Sequence, residues 1–384
     1  MADRLRVLVT GARAPVALDL ARSFRSAGCE AALADSVRPF AAMLSRPRFE
    51  ILRLPPPRRN FLAFRARLRA LAGDYDFIVP TCEEVFWLAA AAERDGWADR
   101  LFAPSVERLR RLHSKASFPA FAREAGAESP ATWTIASAED ADLVPLAASE
   151  LVLKPEFSRF GSKTLVAPQL GAAAAAAASA ASRWVAQERL YGEELCVWSA
   201  IRGGRLVACI VYRPVLRHGR SAAYAFEAVD SPAIASMARR IGAAVGGDGQ
   251  LSYDVIVQRD GRIAPIECNP RTVSGVHLLD GSPALARAIL GHCDLTPPRA
   301  GTVRYLSPAM ALMGVPSALA GGAFGRLRSV WRKGQDCVGR PGDRLPVAGV
   351  LLDAARFALI GAARLRGPTG ETTDDIEWNG EAFE

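Results

Sequence analysis

The sequence predicts a chain of mixed α/β and α+β class. A doubly wound parallel-sheet domain comes first, antiparallel sheets with helices follow, and a mostly helical C-terminal extension closes the chain. Three observations carry this. The first 35 residues run strand, helix, strand in a βαβ opening. Hairpin signals recur in the second half, at Gly203-Gly204 and at Asp260-Gly261. Beyond residue 300 only helical patterns and loops remain. With 384 residues, half of them apolar, the chain has room for two or three domains with sizeable cores.

Residues 5–10 read as a buried strand ending at Gly11, followed by a helical pattern to Arg25 and a second strand over 30–34. Gly11 lacks the second and third glycines of a G-x-G-x-x-G turn, so a cofactor-free domain is expected over a dinucleotide site, and Asp35 reads as a strand end. A strand over 77–80 leads into Thr81-Cys82-Glu83-Glu84 and a helix. Ligands meet open parallel sheets at the carboxyl ends of strands, which makes Thr81, Glu83 and Glu84 candidate substrate contacts. An equal alternative is a helix start with acidic residues in its first turn.

Pro104 and Ser105 mark a boundary. Helices are expected over 105–112 and 114–125, with Ser114 as N-cap and Lys115 in the first turn. Strands are expected over 132–136, 150–155 and 163–167, with Glu156–Ser162 as the tip of a hairpin, and a helix in the alanine run 172–181. Further strands fall at 184–188, 195–201, 206–212, 253–257 and 263–267, with a helix over 234–245. The resulting units are 1–104, 105–190, 191–300 and 301–384.

The net charge of +8 is spread along the chain without a basic tail, so it demands no nucleic acid and suits anionic ligands equally well. Seven scattered cysteines with no C-x-x-C pair read as reduced residues of a cytoplasmic protein, and the four histidines show no metal-ligand spacing. No signal peptide or transmembrane segment is expected. The run 347–365 contains Asp353, Arg356 and Arg364, and reads as an amphipathic helix packed on the body.

Only four lysines stand against 44 arginines, the remainder of 48 basic residues. An ammonium is a compact point charge and a guanidinium a planar fork, so the surviving lysines are expected where the fork cannot serve. Lys115, Lys154 and Lys163 lie close in sequence, and Lys154 precedes the loop containing Gly161, an arrangement that suits phosphate. Asp254 lies in one strand of the last hairpin, with Glu267 and Asn269 in the other. Residues two apart in a strand share a face, and the tight turn returns the second strand beside the first. Two carboxylates and an amide oxygen suit Mg²⁺ or Mn²⁺, with phosphate oxygens completing the shell. The alternative, ion pairs on a solvated face, fits poorly with the apolar neighbours Val255, Ile256, Ile263 and Ile266. Arg271 is placed to reach a transferring phosphoryl group or an anionic substrate.

A helix lysine, a strand lysine before a hairpin loop, Gln187-Glu188, Gly192-Glu193-Glu194, and then Asp254 before Glu267-Cys268-Asn269-Pro270-Arg271: this order resembles the ATP-grasp superfamily over about residues 1–290. Similar members are the carbamoyl phosphate synthetase large subunit, biotin carboxylase and D-alanine–D-alanine ligase. The resemblance implies a two-lobed ATP-grasp fold after the N-terminal domain. It implies ATP contacts from Lys115, Lys154, the loop residues Ser158, Arg159, Gly161 and Ser162, the adenine linker Gln187, Glu188, Arg189 and Leu190, and the ribose carboxylate Glu194. It further implies Asp254, Glu267 and Asn269 as metal ligands, with Arg271 and Lys154 catalytic. The expected activity is an ATP- and Mg²⁺-dependent carboxylate–amine ligase working through an acyl phosphate on small-molecule carboxylate and amine substrates. Arg213 and Arg217, with His218 and Arg220, are candidates to clamp the carboxylate, the favoured alternative being a solvated basic loop. A homodimer is left open. The alternatives are an ATP-dependent carboxylase or kinase-like enzyme, a nicotinamide-dependent reductase, and a nucleotide-binding protein without turnover.

Overall fold

The computed structural model describes residues 4–159, 163–168, 171–172, 183–217, 223–322, 324–365 and 368–384. The expectations for Gly161, Ser162, His218, Arg220 and nearly all of the alanine-run helix lie outside the described residues.

The N-terminal domain is a four-stranded parallel sheet. Its elements are β1 (Arg6–Thr10), α1 (Pro15–Ser26), β2 (Glu30–Asp35), α2 (Phe40–Leu44), β3 (Glu50–Arg53), α3 (Phe61–Ala72), β4 (Phe77–Val79) and α4 (Glu84–Asp95), with strand order β3-β2-β1-β4. Val7, Leu8 and Val9 are fully buried, as an uninterrupted apolar run requires when helices cover both faces. Gly11 follows β1 at φ +71°, and a Cβ there would lie 2.4 Å from Thr81 Oγ1 and 2.7 Å from Glu84 Oε1. Its glycine thus lets the ends of β1 and β4 approach, which accounts for the residue without a dinucleotide.

Helices α5 (Val106–His113) and α6 (Phe118–Glu124) lead to a second, antiparallel sheet of β5 (Thr132–Ile135), β6 (Leu151–Pro155), β7 (Leu165–Val166) and β8 (Trp184–Glu188), ordered β5-β8-β6-β7. The helix expected from Ser114 begins instead at Phe118, with Pro119 in its first turn. Ser114 Oγ accepts the N–H groups of Ala116 and Ser117, so Lys115 sits in a turn before the helix rather than inside it.

The third sheet has seven strands ordered β13-β12-β9-β10-β11-β14-β15. They are β9 (Gly192–Arg202), β10 (Arg205–Arg217), β11 (Ala223–Val229), β12 (Gly249–Gln258), β13 (Ile263–Asn269), β14 (Val303–Tyr305) and β15 (Gln335–Asp336). The last two belong to the C-terminal extension, which is therefore stitched into this sheet as well as carrying helices. On one face Leu195, Val197, Val211, Leu251, Tyr253 and Val255 pack on α6 and on the following helix α7 (Pro232–Val245). On the other face Trp198, Ile210, Tyr212 and Phe226 share a core with α1 and α8 (Pro283–Ile289). That second face runs from the N-terminal domain's core out to a polar end at Glu194, Asp254 and Glu267.

Three further helices are α9 (Val315–Gly321), α10 (Phe324–Lys333) and α11 (Leu345–Ala363). By length and composition alone α11 is apolar enough to cross a membrane, and 28% of its most apolar 18-residue window is buried. In the fold it packs on α2: Gly349 allows contact with the Ala41 backbone, and Asp353 accepts the Ala41 N–H at 3.2 Å. The run beyond it crosses back to the N-terminal domain. There Trp378 is fully buried, stacked on Phe86 at 4.9 Å, and Asp375 meets Arg13 at 2.5 Å.

Candidate active site

Asp254 and Glu267 are direct partners across the β12–β13 ladder, and Asn269 is paired with Ser252 one step along the same face. Directly opposed residues of an antiparallel pair project together, so the three oxygen-bearing side chains share one side of the sheet, as expected. Asn269 Nδ2 donates to Glu267 Oε1 at 3.3 Å. Arg271 Nη2 lies 3.5 Å from Asn269 Oδ1. Cys196 is paired with Asp254, and Glu194 with Ile256, which brings a third carboxylate onto this face.

Lys115 comes from the turn before α6, with Nζ 3.7 Å from Glu267 Oε2 and 3.0 Å from the carbonyl oxygen of Ser158. Lys154 comes from β6 of the smaller sheet. Leu151, Leu153, Trp184 and Ala186 fill that sheet's own core, and alternation turns Lys154 and Gln187 to the opposite side, toward β13. Gln187 Nε2 donates to Ile266 O at 3.4 Å across the gap. Both lysines are about 95% buried, and burial lowers the Lys154 ammonium below its ordinary value.

The two opposed carboxylates are driven in opposite directions. Burial, and then the charges of Glu267 and Glu194, push Asp254 up to about 8. Burial also works against the Glu267 anion, but Lys115 and Lys154 outweigh it and hold this group down at about 2. Burial and mutual repulsion both work against two charges at this point, a condition a divalent cation would relieve. Among the described residues no group of three His, Cys, Asp or Glu side chains forms a metal cage. The expected set has two carboxylates, with an amide as its third oxygen donor. It suits a hard ion whose remaining ligands come from phosphate and water.

Other expected residues are held elsewhere. Arg159 is buried against Glu83, Glu377, Asn379 and the Trp378 carbonyl oxygen, so its guanidinium faces the C-terminal tail. A phosphate contact from Arg159 would break that buried network. Glu83 lies between Arg159 and Arg271 (3.6 Å) and is 2% exposed. Burial opposes its charge, yet the two guanidinium groups hold it down at about 2. Glu84 accepts from the Thr10 hydroxyl at 2.7 Å and from the N–H groups of Thr81 and Cys82, which favours its helix-start reading. The Thr81 hydroxyl donates to the Thr10 carbonyl oxygen. Arg217 pairs with Glu194 at 2.9 Å and Arg213 with Glu193 at 2.5 Å, so both candidate clamps are ion-paired on the ladder. In the linker, the N–H of Glu188 bonds Ala131 O and that of Arg189 bonds Glu150 O, leaving the Leu190 N–H as the linker donor without a chain acceptor among the described residues.

Sequence reading missed two supports. Gln250 joins Trp198, Thr272 and the Pro80 carbonyl oxygen, tying the Arg271 loop to the N-terminal sheet. The tail Glu377–Asn379 anchors Arg159 at the root of the hairpin tip; an acidic, Trp-containing end on an Arg-rich chain was the available signal.

No protein-family model matches the sequence, and no curated protein matches it. Solved structures match in fold. An N5-carboxyaminoimidazole synthetase from Staphylococcus aureus complexed with ADP superimposes with a TM-score of 0.64 at 12% identity, covering 82% of this chain and 86% of that one. A phosphoribosylamine–glycine ligase from Thermotoga maritima gives 0.60 at 16% identity, covering 78% of each chain. An L-amino acid ligase from Bacillus licheniformis gives 0.54 at 14%, covering 72% of this chain and 69% of that one.

Proposed function

We propose, for a chain with the ATP-grasp fold of those ligases, an ATP- and Mg²⁺-dependent carboxylate–amine ligase forming an amide through an acyl phosphate. The observation that carries this reading is the directly opposed Asp254–Glu267 pair, with Asn269 on the same face, set against two buried ammonium groups. The ligase names of the structures alike in fold agree with it.

In this reading Lys115 and Lys154 bind the phosphates as point charges. The Leu190 N–H and the linker carbonyl oxygens hold the adenine edge, and Glu194, released from Arg217, takes the ribose hydroxyls. Asp254, Glu267 and Asn269 hold the divalent ion. Mg²⁺ or Mn²⁺ bound there would neutralise charge on the β- and γ-phosphates. A substrate carboxylate oxygen attacks the γ-phosphorus, the bond to the ADP oxygen breaks, and Arg271 and Lys154 steady the phosphoryl oxygens. An amine then forms the C–N bond, loses a proton and expels phosphate. Positioning and charge stabilisation supply the acceleration, so no nucleophilic side chain is required. A reducing compartment such as the cytoplasm suits the seven free cysteines.

The test is ADP release from Mg²⁺-ATP over a panel of amino acids and small acids, singly and in pairs. The expected result is turnover that requires a carboxylate and an amine together, lost in Glu267→Ala with the fold intact. Near-normal turnover in Glu267→Ala would overturn the assignment of that residue.

A further inference from the structure

The C-terminal extension concentrates two surface properties. Among the described residues fifteen large apolar side chains are exposed, and nine of them lie between Leu312 and Leu365. The same stretch carries eight arginines and lysines against three aspartates, a net +5 of the chain's +8. The three aspartates are turned to internal work: Asp343 bonds Arg22 and Ser45, Asp353 bonds Ala41 N, and Asp336 bonds Ser307.

Helix α10 shows the arrangement most clearly. Leu327 and Val330 are buried against the body, which fixes the helix's rotation. Phe324, Arg328 and Trp331, spaced four and three apart, therefore share an outward face, with Phe324 48% and Trp331 64% exposed. Arg332 and Lys333 close the helix. Among the described residues none of Arg328, Arg332 and Lys333 has an ion-pair partner, and the three aspartates of the stretch are engaged elsewhere. Leu319, at the end of the preceding helix, is 68% exposed.

We infer that this face seats on an anionic lipid surface, with Leu319, Phe324 and Trp331 entering the headgroup boundary and Arg328, Arg332 and Lys333 meeting lipid phosphates. Aromatic residues beside unpaired cations fit an interface that is apolar below and negative above. Charge complementarity selects this occupant over a second copy of the chain. In a two-fold contact the patch meets itself, and the same cations would face each other without carboxylates. A nucleic acid would satisfy the cations but leave the apolar side chains without a partner. The inference does not depend on the ligase reading.

The test is co-sedimentation of the full chain with phosphatidylglycerol–phosphatidylcholine vesicles and with phosphatidylcholine alone. Binding is expected only to the anionic vesicles, and it should fall steeply between 0.05 and 0.5 M salt (about 14 to about 4 Å of screening length). Arg328→Gln/Arg332→Gln should weaken it about tenfold or more, and Trp331→Ser severalfold, with ADP release and circular dichroism unchanged. Because all three positions are exposed, a folded variant is expected, and the charge pair tests the face even if Trp331→Ser fails to fold. Three results would overturn the inference: no binding to anionic vesicles, equal binding by the charge variant, or binding of duplex DNA in place of vesicles. A chain that sediments as a dimer split by Leu352→Gln, with vesicles unbound, would assign the extension to a second copy and also overturn it.

Discussion

Replacing Glu83 with Gln should cost about 3–5 kcal/mol of stability, the range for removing one partner of a buried ion pair. The side chains of Glu83 and Arg159 are 2% and 6% exposed, and Arg271, at 20%, approaches Glu83 from the other side. Without the carboxylate, two guanidinium groups share a buried space with Glu377 as the remaining nearby anion. Arg159→Met removes the opposite partner and also releases Glu377, Asn379 and the Trp378 carbonyl oxygen, so it should cost a similar amount. The double variant Glu83→Gln/Arg159→Met leaves neither member of that pair buried alone, and only the more exposed Arg271 loses its carboxylate. It should be more stable than the sum of the singles by about 2 kcal/mol or more. Urea unfolding of the four proteins at pH 7.5 and moderate salt measures this. Additivity within about 0.5 kcal/mol would refute the claim that Glu83 and Arg159 form the bridge between the N-terminal domain, the hairpin root and the tail.

His113 is buried, packed on Phe86 and Phe157, with no hydrogen-bond partner on either ring nitrogen; burial, opposed by Glu83, lowers it to about 3. The unfolded chain protonates first, so this residue lowers stability as pH falls below about 6.5, whereas Glu83 acts only below its ordinary 4.5. His113→Phe should therefore recover up to about 3 kcal/mol between pH 6.5 and 4.5, and an unchanged pH–stability curve in that window would exclude the assignment. Lys154→Arg should leave melting within a few degrees of wild type yet remove most ADP release, because a fork cannot replace a point charge in that space; full activity would show that the ammonium is dispensable. Trp378→Ala should cost about 3–5 kcal/mol, and limited proteolysis should then cut near residue 160. Wild-type cleavage kinetics would detach the tail from the hairpin root.

The βαβ opening and the Asp254–Glu267 hairpin were legible because both rest on short-range patterns, a continuous apolar run and a short Asp-Gly turn. The strand β3 (Glu50–Arg53) and the helix α3 were not read, since the strand alternates weakly and the helix carries three arginines on its outer side. The start of α6 was misplaced because Ser114 and Ser117 both look like caps, and Pro119 decided between them. Arg159 is the most instructive case. A cation in a hairpin tip points to phosphate by local logic, but its partners are Glu83 in the N-terminal domain and the tail Glu377–Asn379, more than 200 residues away, where no local pattern reaches. Glu83 and Arg217 follow the same rule: their partners, Arg159 and Glu194, were set by packing and register. Asp254 and Glu267 could be placed together because they are neighbours across one ladder, whereas the residues around them come from distant segments.

In the proposed reading Asp254 and Glu267 hold a divalent cation beneath a nucleotide. Titration calorimetry of ADP binding with and without Mg²⁺, on the wild type and on Asp254→Asn/Glu267→Gln, tests it most directly. Mg²⁺ should tighten ADP binding at least tenfold in the wild type and leave the double variant unaffected, with its weak metal-free binding retained through Lys115 and Lys154. An equal Mg²⁺ effect in both proteins would contradict the account.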